Sequence, residues 1–430
     1  MARRKLQVAG DDNGPDVNVK ERSYKGCYGQ IISYEMMPQF LKSCFNLNEQ
    51  HENEDVGRFA ACVWGMSGVG KSEIVKDFAN APVTWNGQKY AGYDVRDVPI
   101  AQFEEMGDLH GMPSESFLVR NDQDEEAWAF KEALAVWEEQ GYKIVPGVQS
   151  RTTYAPPDWV PLTPGPAILL LDDWNRASIR VIKGIMQLLQ NYGMVSWKLP
   201  PGCNIVLTGN PDEQDFLVTS IDSAILTRIK HVTLREDAKE WAIWATRKRL
   251  DPRGISFVLR YPEMMIGPER TNPRTLSEFF RTLKQYPEID DTNREEVQMH
   301  GNSLLDAETV STFIVFCARD MEDVIEPEDI LAGGSGIDKR VKKLMDRKEP
   351  RIDIMGIICE RLYAHMIQPG YEIKPERVQA FQDFVVLEHV PDDIRHSLCR
   401  RICKTQDGGK SMQWVYGNDL LREMILGLMR

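Results

Sequence analysis

The segment from residue 65 to residue 72 constrains the fold more than any other part of this 430-residue chain. It reads Gly-Met-Ser-Gly-Val-Gly-Lys-Ser and matches the pattern G-x-x-x-x-G-K-[ST]. An apolar stretch, Phe59–Trp64, precedes it, and helix-forming residues follow it. Glycines let successive backbone N–H groups wrap around an anion, and the next helix turns its positive end toward the same point. We therefore expect a phosphate-binding loop, with nucleotide contacts from Gly65, Met66, Ser67, Gly68, Val69, Gly70, Lys71 and Ser72.

Within such a loop, the lysine and the final hydroxyl have separate tasks. Lys71 is expected to reach the β- and γ-phosphates of ATP, and Ser72 to bind the accompanying Mg²⁺. The apolar strand Ala167–Leu171 ends in Asp172 and Asp173. In a phosphate-loop protein the first acid holds Mg²⁺ largely through water, and the second orients and deprotonates the attacking water. Strands also end in acids for no functional reason, but the position after a phosphate loop favours the functional interpretation.

Three more polar residues are candidates for the same chemistry. Asn210 ends an apolar strand and is placed to contact the attacking water or the γ-phosphate, although Asn before Pro also simply begins turns. Arg228 ends a helix, where it either complements the helix dipole or enters a neighbouring subunit's site as an arginine finger. Arg274 follows Asn272-Pro273, a helix start, so it lies in the first turn of a later helix.

Strand and helix patterns alternate in the first half of the chain and give way to helices alone after Leu234. Alternation predicts an αβα domain with a parallel sheet covered on both faces. Its five strands are expected at 59–64, 93–100, 167–171, 204–208 and 229–234, with helices at 71–78 and 179–189. Later helices are expected at 236–250, 273–286, 310–321, 351–366 and 376–387. The resulting division is an N-terminal arm and helix over 1–54, a nucleotide-binding domain over 55–235, a helical lid over 236–300, and a C-terminal helical extension over 301–430.

Together these motifs resemble the AAA+ ATPases, and within them the MoxR-type group with a helix-2 insert, over about residues 55–285. The segment 171–177 is similar to that group's Asp-Glu-x-Asn-Arg-Ala, and 107–113 to its Gly-Leu-Pro signature. The resemblance implies that Asn210 is sensor 1, Arg228 the arginine finger and Arg274 sensor 2. It also implies a ring, expected to be a homo-hexamer, and a protein partner, in this group often one with a von Willebrand A domain.

The chain departs from the family pattern in two places. Asp173 stands where a glutamate is usual, which puts fast hydrolysis in doubt. Residues 114–165 form a long insert with an acidic tract, 122–126, followed by an expected helix with Phe130, Leu134 and Trp137 on one face. The resemblance would place this insert on the working face of the ring. An equally favoured interpretation is that the aromatic side chains simply pack on the sheet.

Composition narrows the possible partners and compartment. The net charge of −13 argues against a protein whose main task is holding duplex DNA, and the basic stretch 339–348 is expected to be a solvated helix face. No apolar run is long enough to span a bilayer and no secretory signal is visible, so we expect a cytoplasmic protein. Eight cysteines without a Cys-x-x-Cys pair are expected to be reduced thiols, with metal or disulfide roles less favoured.

These features predict an ATPase that couples ATP hydrolysis between subunits to remodelling of a protein partner, with ATP and Mg²⁺ as ligands. Two alternatives stay open. A DNA-directed motor of the same fold would need basic residues lining a pore, and the acidic insert speaks against it. A slowly hydrolysing, nucleotide-gated scaffold is suggested by Asp173 in place of glutamate.

Overall fold

A computed structural model of the protein describes residues 28–53, 57–210, 222–334, 336–405 and 407–428. Its strands are β1 Gln30–Ile32, β2 Ala60–Trp64, β3 Val83–Trp85, β4 Gln88–Tyr90, β5 Asp94–Pro99, β6 Met112–Arg120, β7 Glu126–Phe130, β8 Lys143–Ile144, β9 Arg151–Ala155, β10 Ala167–Asp172, β11 Cys203–Gly209 and β12 Ile229–Leu234. Strand pairs therefore occur only before residue 235 in the described ranges, as the sequence predicts.

Helices flank the strands and make up most of the described chain after Leu234. Those of the first half are α1 Met37–Asn53, α2 Lys71–Ala79, α3 Met106–His110, α4 Leu134–Glu139, α5 Ile179–Asn191 and α6 Ser223–Leu226. Those of the second half are α7 Ala238–Arg247, α8 Pro252–Arg260, α9 Pro273–Thr282, α10 Arg294–Leu304, α11 Ala307–Arg319, α12 Pro327–Leu331, α13 Ile337–Met345, α14 Ile352–Met366, α15 Pro375–Val385, α16 Asp392–Lys404, α17 Gln413–Tyr416 and α18 Asp419–Leu428.

The central sheet is parallel and runs in the order β1-β12-β2-β11-β10-β5. All five expected strands are present, so the predicted αβα architecture is confirmed, but the expected number of strands is wrong. A sixth strand, β1, pairs with β12 at the sheet edge. It begins at Gln30, inside the stretch expected to be a loosely ordered arm, whose residues 1–27 lie outside the described ranges. A three-residue strand of this kind carries too short an apolar pattern to be recognised in sequence.

Both faces of the sheet are buried, which explains why its inner strands read as continuous apolar runs. Along β10, Leu169 and Leu171 face a core shared with α3 and α5, whereas Ile168 and Leu170 face a core shared with α1 and α2. The two sets alternate because successive strand side chains point to opposite faces. Every residue of β2 and of β11 is buried.

Register brings the carboxyl ends of the central strands to one edge. Trp64 of β2 lies beside Gly209 of β11, and Leu171 of β10 lies beside Leu207 of β11. Gly65 after β2, Asp172 at the end of β10 and Asn210 after β11 therefore converge at that edge. This convergence positions the candidate site.

The insert is built mainly on an antiparallel sheet. The structure therefore corrects the expectation that Phe130 lies in a helix. β6 pairs with β7 on one side and with β8 and β9 on the other. Phe130 ends β7, and the helix α4 is only six residues long. Trp137 packs edge-on against Tyr142 within the insert, with ring centroids 4.8 Å apart. Alternating side chains in 112–120 and 126–130 suit strands, and the acidic tract between them forms the turn.

The five helices expected after Leu234 are present, with ends that shift by a few residues. Two apolar cores hold this region together, one built around Phe257, Phe279 and Phe313, the other around Phe381 and Trp414. α14 packs on α7 and α8, so the segments expected to be a lid and a C-terminal extension share contacts. The cysteines expected to be thiols are free wherever the chain is described; Cys27 lies outside those ranges.

Candidate functional site

The segment between β2 and α2 forms a tight loop whose backbone requires glycine. Gly70 caps α2 with φ 90° and ψ 24°, a left-handed conformation that side-chain-bearing residues rarely adopt. Gly68 also has a left-handed backbone, with φ 80°. A Cβ atom on Gly68 would lie 2.4 Å from the Oδ1 of Asn272. The loop is therefore shaped as an anion cradle would be, and the lid touches it directly.

Lys71 fills the inside of this loop. Its side chain is only 6% exposed, and its ammonium donates to the carbonyls of Gly65 (2.9 Å) and Met66 (3.1 Å). It also donates to the Oδ1 of Asn210 at 3.0 Å. A buried charge is stable only when it is well hydrogen-bonded, and these oxygens meet that need. The ammonium thus lies between the phosphate loop and the end of β11.

Ser72 and Asp172 are also adjacent, as the sequence predicts for a pair that holds one cation. The Ser72 hydroxyl donates to Asp172 Oδ1, and the Thr208 hydroxyl donates to the same oxygen. Hydroxyl and carboxylate oxygens are the hard ligands that Mg²⁺ takes beside phosphate, with water completing its shell. The donor set therefore fits Mg²⁺ delivered with a nucleotide.

Asp173 has an unusual backbone for an acid at this position. Its φ of 49° and ψ of 38° are left-handed, a conformation that Asp and Asn tolerate better than other side-chain-bearing residues. Its N–H donates to the Thr208 hydroxyl at 3.0 Å. Its carboxylate accepts from the Asn210 amide at 2.8 Å and lies 3.7 Å from Arg176. The local backbone thus gives a physical reason for Asp rather than Glu here.

Asn210 links the lysine to the second acid. Its side chain is 1% exposed, accepts from Lys71 through Oδ1, and donates to Asp173 through Nδ2. Asn175 holds this segment in place: its Nδ2 donates to the Asn210 carbonyl at 2.8 Å, and its Oδ1 accepts from the Asn210 N–H at 3.1 Å. The next residue, Pro211, lies outside the described ranges.

Two of these residues received no role from the sequence. Thr208 bridges Asp172 and Asp173, and Asn175 pins the Asn210 backbone. Asn175 lies within the motif 171–177 and Thr208 ends the expected strand 204–208, so the sequence marks the right segments. Their hydrogen-bond partners, however, depend on strand register, which short motifs do not reveal.

Arg274 lies in the first turn of α9, close to the loop. Asn272 caps that helix by accepting from the N–H groups of Arg274 (3.0 Å) and Thr275 (3.2 Å). The same side-chain oxygen of Asn272, Oδ1, is the atom nearest to the Cβ position of Gly68. The helix that carries Arg274 therefore starts against the phosphate loop, and Arg274 itself is exposed.

A second connection between loop and lid was not foreseen. The Tyr34 hydroxyl donates to the Val69 carbonyl in the loop, and the Tyr34 N–H donates to Glu240 of α7 at 2.7 Å. Burial raises the pKa of the Glu240 carboxyl, and the bond from Tyr34 opposes that shift. Lys248 of the lid also pairs with Glu73 of α2 at 2.7 Å. A lone tyrosine after a short strand carries no sequence signal for such a role.

Arg228 is a candidate that the structure does not bring to this cluster. It follows α6 and is partly buried, and its guanidinium donates to the carbonyl of Ala224 in the preceding turn. It also contacts the Met186 sulfur at 4.0 Å. The other expected residues, from Lys71 to Asn210, meet at the sheet edge.

Comparison with known proteins shows only a distant structural likeness. No family model matches the sequence, and no curated protein matches it. The solved structure described as the Thermotoga maritima RuvB Holliday junction branch migration motor is 13% identical, with a TM-score of 0.30 over 79% of this chain and 90% of that one. A mutant of Thermotoga maritima RuvB is 11% identical, with a TM-score of 0.31 over 74% and 86%. Likeness at this level says nothing about what this chain does.

Every helix in the described ranges is too short or too polar to cross a lipid bilayer.

Proposed function

We propose that the protein is an AAA+ ATPase that hydrolyses ATP and uses the reaction to remodel a protein partner. The observation that carries the proposal is one hydrogen-bonded network at the sheet edge. In it, the buried Lys71 ammonium contacts Asn210, Asn210 contacts Asp173, and Asp172 accepts from Ser72. The positive charge of Lys71, the cation ligands and a candidate base thus lie together beside a loop shaped to bind an anion.

Each residue takes a role suited to its atoms. Lys71 neutralises charge on the β- and γ-phosphates while the loop amides hold them. Ser72 and Asp172 hold Mg²⁺, which neutralises charge on the phosphates when bound. Asp173 accepts a proton from the attacking water, and Asn210 orients that carboxylate. Arg274 approaches the γ-phosphate from the lid as sensor 2.

Arg228 would act between subunits as an arginine finger. It lies outside the cluster of its own chain, which is what a residue completing a neighbour's site requires. This role needs a ring, for which we propose a homo-hexamer. The capping bond to Ala224 would give way to phosphate contact when a neighbour docks.

The division into an arm, nucleotide domain, lid and extension is part of the same proposal, as is the MoxR-type assignment. The insert would meet the partner, because it exposes Val136 on α4 and Ile144 on β8 and carries the acidic tract 122–126. A protein partner, with a von Willebrand A domain as the first type to test, suits an insert that contains none of the residues assigned to ATP. The cytoplasm would be the compartment.

The proposal is tested by ATP titration and turnover of the wild type and of Lys71→Ala. We expect Lys71→Ala to lower ATP affinity at least about tenfold, because it removes the buried charge inside the loop. Lys76→Ala is the matched control, since Lys76 lies one turn later on α2 and pairs with the exposed Asp97. Equal ATP affinity in wild type and Lys71→Ala would remove the phosphate-loop assignment.

Assembly is tested by mixing. Arg228→Ala subunits should bind ATP normally and turn it over slowly, because fingers contribute on the order of 10³–10⁵ in rate. Lys71→Ala subunits carry an intact Arg228, so mixing the two should restore part of the activity. Co-assembled mixtures that restore nothing would contradict a finger acting between subunits. Turnover stimulated by DNA would favour the motor alternative, and a wild type without turnover would favour the scaffold.

A further inference from the structure

A histidine on β12 connects the end of the phosphate-loop strand to the segment that precedes Arg228. The Trp64 indole N–H donates to His231 Nδ1 at 2.9 Å. The other ring nitrogen of His231, Nε2, lies 2.8 Å from the Leu226 carbonyl oxygen. Leu226 is the last residue of α6, two residues before Arg228. His231 therefore lies between Trp64 and the Arg228 segment.

The two partners fix the state of the imidazole. An indole N–H can only donate, so Nδ1 must be the unprotonated acceptor. A carbonyl oxygen can only accept, so Nε2 must carry the proton. The ring is thus neutral, with one tautomer that satisfies both neighbours. Burial lowers the pKa of His231, while the bond to Leu226 opposes that shift.

The helix α6, which His231 contacts through Leu226, depends on tertiary contacts for its stability. α6 has four residues, and a helix that short is unstable without tertiary contacts. Its C-terminal carbonyls are satisfied in turn: Ser223 accepts from the Thr227 N–H, Ile225 from the Arg228 N–H, and Leu226 from His231. The His231 bond adds a hydrogen bond between this helix end and the central sheet to the packing of Ile225 and Leu226 in the core.

Trp64 extends the connection to the nucleotide site of the same subunit. It directly precedes Gly65, the first residue of the phosphate loop. Its ring packs edge-on against Trp174, with centroids 6.1 Å apart, and Trp174 directly follows Asp173. Gly209 on the neighbouring strand leaves the space for this indole, because a Cβ there would lie 2.6 Å from it.

We infer that His231 is a positioning residue that holds the Arg228 segment at a fixed place relative to the subunit's own phosphate loop, so that Arg228 is presented correctly to the neighbouring subunit. This role rests on the proposed function of Arg228 as a finger. His231 touches neither nucleotide nor water in the reaction. It acts through the carbonyl of Leu226, and Trp64 orients it.

Two substitutions separate the hydrogen bonds from the ring volume. His231→Phe keeps an aromatic ring beside Trp64 and loses both bonds. His231→Gln retains an acceptor for Trp64 and a donor for Leu226. The matched control is His51→Phe, which also removes a bond between a histidine and a backbone carbonyl, that of Gly57 at 2.9 Å, from the end of α1.

Turnover and mixing give the first readout. We expect His231→Phe to bind ATP as the wild type does, within about twofold, and to lose at least about tenfold in turnover, a part of the finger effect. His231→Gln and His51→Phe should stay close to wild type. Lys71→Ala subunits should restore activity to His231→Phe, since they supply a well-placed Arg228. Arg228→Ala subunits should not restore it, because neither member of that mixture presents a working finger.

Amide hydrogen exchange gives a second readout that needs no turnover. The amides of Thr227 and Arg228 are hydrogen-bonded within the held segment. Their exchange should accelerate in His231→Phe at least about tenfold and remain slow in His231→Gln. Unchanged exchange in His231→Phe would overturn the inference. So would a loss of turnover that Lys71→Ala subunits fail to restore, since that indicates general damage.

Failure of the inference and failure of the proposed function give different results. If Arg228→Ala turns over ATP like the wild type, the finger role is wrong, and the presentation of Arg228 falls with it. If Arg228→Ala is slow and His231→Phe is fast, the finger role stands and the positioning role of His231 is wrong.

Discussion

Replacing Asp173 by asparagine removes a charge from the candidate site and changes almost nothing else. Asparagine tolerates the left-handed backbone at this position, where φ is 49°. Its side-chain oxygen can still accept the 2.8 Å bond from Asn210. The ion pair with Arg176 is lost, but its atoms are 3.7 Å apart on side chains about a third exposed, so it contributes about 0–1 kcal/mol. The free energy of unfolding should therefore change by less than about 1 kcal/mol.

Turnover should respond very differently from stability. Removing a general base lowers rates by about 10²–10⁴, which corresponds to about 2.7–5.4 kcal/mol in the activation barrier. ATP affinity should stay within about twofold, because Lys71, Ser72 and Asp172 are untouched. The assay is steady-state phosphate release, with ATP titration and urea unfolding of the same samples. Turnover within about threefold of wild type would refute Asp173 as the base, and loss of ATP binding would refute the division of roles between the two acids.

The glutamate variant tests why this chain has aspartate. A left-handed backbone is unfavourable by roughly 1–2 kcal/mol for residues other than Gly, Asn and Asp. Asp173→Glu should therefore unfold at lower urea concentration than the wild type, whereas Asp173→Asn should not. Equal stability of the glutamate and asparagine variants would show that the backbone does not select the shorter acid.

Three further outcomes are expected. Gly68→Ala should weaken ATP binding at least about tenfold, as measured by calorimetry. The reason is that φ is 80° at this residue and the new Cβ would lie 2.4 Å from the Oδ1 of Asn272. Unchanged affinity would contradict the contact between the loop and Asn272. The insert can be removed by joining Met112 to Ala155 through a short glycine turn, because these two residues are paired across neighbouring strands. Basal ATP turnover of this deletion variant should remain within about threefold of wild type. Complete loss of ATP binding would place the insert in the nucleotide site. Burial lowers the pKa of His231 below its usual 6.5, so the unfolded chain binds more protons than the folded chain. The free energy of unfolding should therefore fall as the pH drops below about 6.5. Urea unfolding at pH 7.5 and 5.5 should show a smaller fall for His231→Gln than for the wild type, and an equal fall would contradict this expectation.

The sequence by itself determined the order of the central strands and predicted a phosphate-binding loop between β2 and α2. Buried parallel strands are continuous apolar runs, and glycines at 65, 68 and 70 followed by Lys71 and Ser72 form a pattern specific to phosphate-binding loops. Five of the twelve α-helices described after Leu234 were also predicted, since their apolar residues recur at helical spacing. In the insert the expected helix is only partly correct: Leu134 and Trp137 lie in α4, but Phe130 ends β7, because one aromatic residue fits helix and strand patterns alike over so short a span.

Only the tertiary structure decided which side chains meet. Asn210 contacts both Lys71 and Asp173 because strand register brings β2, β10 and β11 to a common edge. The contacts of Tyr34 with Val69 and of His231 with Leu226 involve a tyrosine and a histidine to which the sequence pattern assigned no role. Periodicity records which face of an element is buried. It holds no information on which distant polar group lies opposite, because that is set by packing of the whole chain.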